Sequence, residues 1–435
     1  MKKMTWIFWV LAILAIGGVA FGISGHVNQQ AYHQELRNIH EKSFYELVDN
    51  LDNLEVKLAK LSVIQSKEQS ALLLNDVYRQ ADGASQALSQ LPVSHVALSD
   101  TLNFLNQLGD FTRILGEKRA ENIPLTVEEE QTLTELRNTC GDLSGRLTAL
   151  SANLDELDFE MARADTFYQT SDSFMGEKDT EPSIDYPTLI YDGPFSDAMQ
   201  NKTPEGLSGE EIGGEEAKSI AARFLGVSED RLVPQDGTAG QIPSFCFGTV
   251  DKGSKYVYVA KFGGQVVLMI KDRPEGDEHI SLEDAASRAQ AFLKKQGYPE
   301  VQVAYSQRYG GAALINFVPT ERNIRIYPDL IKVKVSLSDG SIVGFDAQSY
   351  YTSHKERDIP MPALKQLDAQ KLIKEGFEFR SAHLALVPKD GQEILCWEFE
   401  GSYDRDQFII YINAETGAEE NIFKVIDTGD GSLVV

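Results

Sequence analysis

Basic residues are in short supply: 41 Lys and Arg stand against 66 Asp and Glu, giving a formal charge of −25 over 435 residues. No cluster of Lys or Arg follows the first few residues, which excludes the stripe needed to displace counterions from nucleic-acid phosphates. Cysteine is scarcer still. Cys140, Cys246 and Cys396 are odd in number and far apart, so they form neither a disulfide framework nor a zinc pattern. Cys140 takes a helical core position, while Cys246 in SFCFG and Cys396 in ILCWEF alternate with aromatics, so all three read as buried small hydrophobes. Signatures of catalysis are missing too: no GxSxG, no P-loop, and no GxGxxG after a strand. His33 and His40 lie seven apart on one helix face, without the spacing of a metal-binding HExxH, and read as solvent-facing. Asp427 to Gly431 resembles a fragment of a calcium loop but lacks the closing glutamate. Paired carboxylates are too abundant to single out a site. No catalytic residue, metal or cofactor is implied.

Long apolar runs are also absent, with one exception. Lys2 and Lys3 precede an uncharged run from Trp6 to Ile23, about as long as a bilayer-spanning helix requires. Residues 1–4 are expected to be cytosolic and 5–24 a transmembrane anchor, with the rest extracytoplasmic. Small residues at Gly17, Gly18, Ala20 and Gly22 leave a cleaved signal peptide as the rival, but the run is long for a signal core and a helical stalk follows at once.

Residues 28–170 read as an extracytoplasmic helical region, either a long helical hairpin or coiled-coil-like. Leu47, Leu51, Leu54, Leu58 and Leu61 alternate at steps of four and three, as do Leu133, Leu136, Cys140, Leu143 and Leu147. Leu98, Leu102, Leu105, Leu108 and Leu115 mark a helix between them, after Pro92, and Thr126 with Glu129 fits a capping box for the last. An unbroken first helix of about 60 residues would reach some 90 Å. Its seam must fold against the later helices or against another copy in a homodimer.

Residues 171–213 form an acidic connector interrupted by Pro182, Pro187, Pro194 and Pro204, open to a processing protease. Its segment YPTLIYDGPFSD is too aromatic for a passive linker. Tyr191, Asp192, Gly193, Pro194 and Phe195 either dock onto the following module or form a partner-binding edge.

Beyond the connector one order of elements recurs at roughly 70 to 80 residues, the mark of tandem units. Helices EEAKSIAARFL from Glu215, EDAASRAQAFL from Glu283 and LDAQKLIKEGF from Leu367 precede strands and a hairpin turning on Gly264, Gly340 or Gly417. The expected fold class is α+β: three tandem modules with antiparallel sheets at 214–275, 279–350 and 363–427, then a tail at 428–435. Pro319 to Pro328 is expected to lengthen a loop of the second module.

The hairpin IYINAETGAEENI from Ile410 resembles the PepSY module, and Gly340 in SLSDGSIVGFDA and Gly264 in KFGGQVV resemble weaker copies. With the anchor, the heptad-rich helices and YPTLIYDGPFSD, the whole chain resembles the YpeB family of spore germination proteins. That resemblance implies a non-enzymatic protein of the spore inner membrane, facing the cortex. It also implies a partner, the cortex-lytic enzyme SleB, each protecting or localising the other during breakdown of cortex peptidoglycan. Direct inhibition of the enzyme through strand edges, and an accessory role binding peptidoglycan or another small ligand, both stay open.

Overall fold

The leucine seams bury as their spacing requires. In the computed structural model, which describes residues 37–91, 95–151, 203–238, 241–250, 255–271, 277–309, 311–389, 391–427 and 431–435, Leu47, Leu51, Leu54 and Leu58 are all buried. The expected anchor and Tyr191 to Phe195 lie outside the described residues. Among those described, no helix is long and apolar enough to cross a membrane. The chain divides into two units, Met1–Ser62 with Lys67–Pro187, and Val63–Ser66 with Thr188–Val435.

The first unit contains α1 (37–61), α2 (Lys67–Ser89), α3 (His95–Ala120) and α4 (Val127–Ser151). The expected first helix does not run on for about 60 residues. It ends at 61, where both the amide and the hydroxyl of Ser62 donate to the Ala59 carbonyl and close the last turn. Side chains then tie α1 antiparallel to α2 (Lys57 to Gln80, 3.1 Å; Ser43 to Gln90 just past its end, 3.0 Å) and to α4 (Arg137 to Glu55, 2.8 Å). The seam is therefore covered within one chain. Thr126 and Glu129 form the expected capping box, Thr126 N donating at 2.8 Å and Glu129 N at 3.2 Å. Hydrogen bonds from Lys118 and then from Thr126 hold the Glu129 carboxyl below its ordinary range.

In the second unit, α5 (Gly214–Leu225) buries Ala217, Ala221 and Ala222, and stops at Gly226 in the left-handed region at φ 67°. Strands β1 (Leu232–Thr238), β2 (Ser244–Thr249), β3 (Lys255–Ala260) and β4 (Val266–Lys271) follow. Helix α6 (Leu282–Lys295) is capped by Ser281, whose hydroxyl accepts from Asp284 N at 3.0 Å, and buries Ala285, Ala289 and Leu293. After it come β5 (Val301–Tyr309), β6 (Ala312–Glu321), β7 (Ile324–Ile326), β8 (Ile331–Ser336) and β9 (Ile342–Asp346), then α7 (Gln348–Ser353). Pairing of β4 with β9 joins the two groups of strands, and α5 and α6 share one apolar core beneath Phe345. Phe224, Phe292 and Tyr298 ring that side chain at 5.5–5.8 Å between centroids.

The third helix is shorter than expected, α8 covering only Gln366–Gln370. Tight turns from Ala369 to Leu372, Gln370 to Ile373 and Lys374 to Phe377 replace the rest, and still bury Ile373 and Phe377. Strands β10 (Glu378–Lys389), β11 (Gln392–Tyr403), β12 (Asp406–Asn413), β13 (Glu419–Asp427) and β14 (Ser432–Val434) complete the unit.

Pro319 to Pro328 is not a loop extension. It holds the end of β6, a two-residue turn at Arg322 and Asn323 with φ of 51° and 64°, and β7. Strand β7 then pairs parallel with β10, so the stretch splices the sheets into one strand path, β1-β2-β3-β4-β9-β8-β6-β7-β10-β11-β12-β13-β14, with β5 on β6. The two prolines suggested a loop, but Pro319 sits in β6 opposite Val301 and Pro328 follows β7.

Gly264, Gly340 and Gly417 adopt φ of 71°, 74° and 76°, the conformation their hairpins demand. A Cβ on each would press on Ile220, Ile280 and Leu372 at 2.8–3.0 Å, so each turn packs against the helical segment preceding its strands.

Candidate functional site

Strand β14 runs beside β5, and among the described residues one bridge, from Gln307 to Gly431 just before β14, links them, so the path from β5 through β6, β7 and β10–β14 almost returns on itself. What it encloses is part apolar. Val318, Tyr327, Leu330, Ala385, Val387, Cys396, Ile409, Tyr411 and Phe423 pack together there.

It also encloses charge. On β11, Glu398 and Glu400 alternate with Trp397 and Phe399 and share one face. Arg325 of β7 reaches both: it donates to Glu398 Oε1, to Glu400 Oε1 at 2.9 Å, and through Nε to Gln302 at 3.1 Å. Glu398 is wholly buried, and that burial raises its pKa although Arg325 and the flanking hydroxyls of Tyr327 and Tyr411 oppose the rise. Glu400 shows the opposite balance. Burial works against its charge, but the hydrogen bond and charge of Arg325, with Ser381, outweigh it and lower the pKa. Burial, then the Glu398 charge, drives the Tyr411 phenol far above its ordinary range.

A second buried cation closes a neighbouring junction. Arg357 binds Asp329 through both η nitrogens (2.8 and 3.0 Å) and Glu393 through Nε and Nη2 (2.8 Å each). His354 Nδ1 lies 2.6 Å from Asp329 and its ring stacks on Tyr350. This bidentate arrangement fastens the segment after β7 and the segment after α7 to the start of β11.

Beside the Arg325 cluster a cleft of about 430 Å³ opens between β5 and the β10–β14 strands. Its apolar part includes Val303, Phe408, Ile409, Val425 and Val434; its polar part includes Ser306, Arg380, Glu400, Ser402 and Gln407.

The residues singled out from sequence do not converge here. Gly264, Gly340 and Gly417 occupy three separate turns. The cysteines are free and buried, desolvation pushing the thiols of Cys140 and Cys396 up to about 12. Among the described residues no cluster of His, Cys, Asp and Glu could hold a metal ion. Arg325, Glu398, Glu400 and Arg380 were not anticipated; the local hint was a pair of acids at inward positions of CWEFEGS.

Three family models match in chain order. Residues 28–162 match one described as YpeB N-terminal, 179–360 one described as YpeB sporulation, PepSY1 and PepSY2 domains, and 370–423 one described as Peptidase propeptide and YPEB domain. The chain is also 31% identical over 432 residues to Sporulation protein YpeB of Bacillus subtilis (strain 168), covering 96% of each. It belongs to the YpeB family of sporulation proteins. A second YpeB relative, from Halalkalibacterium halodurans, is 28% identical, with 96% of this chain and 97% of that one covered. A solved structure, the Bacillus megaterium YpeB C-terminal domain, is 30% identical, covers 50% of this chain and 100% of its own, and has a TM-score of 0.47. The names of these YpeB relatives describe sporulation proteins, not enzymes.

Proposed function

We propose that the chain is a non-enzymatic spore protein, anchored by residues 5–24 in the inner membrane with its bulk facing the cortex, that holds and preserves a cortex-lytic hydrolase of the SleB type. Membership of the YpeB family along nearly the whole chain is the observation that carries this reading. The uncharged run from Trp6 to Ile23 supplies an address, and the helices supply a scaffold. Three PepSY modules act as the display surface. In support, three glycine turns at positive φ each pack on the helical segment before their own strands. The first two modules share a core, consistent with a single family model spanning both. Tyr191 to Phe195 form a contact for the partner, and the connector is the place where a protease acts.

The test is co-purification of the full chain with the hydrolase from membranes, with lytic activity on cortex peptidoglycan measured with and without the chain. A stable complex and a longer-lived enzyme are expected. Retention on insoluble cortex peptidoglycan without any complex would overturn the reading in favour of ligand binding.

A further inference from the structure

The cleft between β5 and β14 joins an apolar floor to a polar rim. Ser306, Arg380, Ser402 and Gln407 line it, and none of their side chains bonds another described residue. Arg380 is exposed at the mouth of the cleft, with its guanidinium turned to no acid among the described residues. Two walls carry β-bulges. The β10–β11 register shifts between Phe379 and Ser381, leaving Arg380 as the extra residue of a bulge, and the β5–β6 register shifts between Val303 and Tyr305, leaving Ala304 as another. Bulges re-aim side chains, and they concentrate beside binding sites. Gly401 permits the first, because a Cβ there would strike the Glu378 carbonyl and the Phe377 ring.

Along its outer side β5 pairs with no described strand except at the Gln307–Gly431 bridge, and Val303 there is 41% exposed. The other edges of the sheet are poorer templates: β1 carries Pro234 and β14 has three residues. An open strand edge, an apolar floor and a single free guanidinium together specify a ligand.

We propose that this cleft binds the C-terminal end of an extended peptide, its carboxylate on Arg380, its backbone along β5, and an apolar side chain over Phe408, Ile409 and Val425. The volume of about 430 Å³ lies within the range of ligand clefts and suits a few residues, not a lone ion. Arg325 neutralises Glu400 at the inner wall, so the carboxylate meets Arg380 without an unbalanced acid beside it. The site stands whether or not the hydrolase is the partner.

Titration of the full chain with a pool of N-acetylated tetrapeptides of Ala, Val and Leu, a matched amidated pool, and N-acetylglycine tests this. The free-acid pool is expected to bind at least tenfold more tightly than either of the others. Arg380→Ala should erase that preference, and Ser402→Trp, which fills the cleft and leaves Arg380 in place, should abolish binding; unchanged thermal unfolding would show that both variants fold. Failure of the acid pool to saturate, equal binding of acid and amide, or a preference that survives Arg380→Ala would each overturn the proposal. Binding of N-acetylglycine as tight as that of the peptides would also overturn it, marking a small-carboxylate site.

Discussion

The second unit has two interiors built on different principles. Beneath α5 and α6 the core is apolar and aromatic, with Phe345 at its centre, and none of the residues buried on α5, α6, β8 or β9 is charged. Between β7 and β10–β12 the interior holds Arg325 and Glu398, the latter wholly buried. Apolar packing needs no particular orientation, and its strength is indifferent to pH. A buried ion pair must recover the cost of desolvation through geometry, so it fixes strand positions more than it adds stability. That fixed frame borders the cleft, since Glu400, held by Arg325, lines its inner wall.

The largest effect should come from breaking the charged frame. Arg325→Ala strands Glu398 and should cost about 3–5 kcal/mol in urea unfolding followed by Trp397 fluorescence. Phe345→Ala in the apolar core should cost about 3 kcal/mol. The comparison is sharpened by pH: the Phe345→Ala cost should be constant from pH 8 to 5, whereas the Arg325→Ala cost should shrink on acidification because Glu398 can take up a proton.

Next comes Gly340→Ala, which forces a side chain into φ 74° against Arg288 and Ile280 and should cost about 1–2 kcal/mol by thermal unfolding. The smallest effect is a slope. Burial raises the folded-state pKa of Glu398 above its unfolded value near 4.5, so the folded chain holds this proton longer and the contribution to stability falls as pH climbs from 4.5 through the raised value. Glu400, with its pKa lowered, acts oppositely, its contribution being lost as pH falls below 4.5. Glu398→Gln should therefore remove a decline of less than about 1.4 kcal/mol per pH unit above pH 4.5, read from melts across pH 4.5–8.

Features encoded locally were legible in the sequence. The seam from Leu47 to Leu58, the Thr126–Glu129 box and the positive φ at Gly264, Gly340 and Gly417 each depend on residues a few positions apart. What escaped depends on distance along the chain. Arg325 meets Glu398 across 73 residues and Arg357 meets Asp329 across 28, and among 66 acids no local pattern singles out the partners. The splice at Pro319 to Pro328 was hidden because two prolines outweighed the alternation of Ile324 and Ile326. The early end of α1 is closed by the amide and hydroxyl of one serine, Ser62, turning back on Ala59, which leaves little mark on a heptad pattern.

A double-mutant cycle of Arg325→Met and Glu398→Gln tests most directly whether the second interior is held by its charge pair. Each single change is expected to destabilise, and the double to recover part of the loss, with a coupling of about 1–3 kcal/mol. Costs that add to within about 0.5 kcal/mol would show that the two side chains act independently, and would contradict the account.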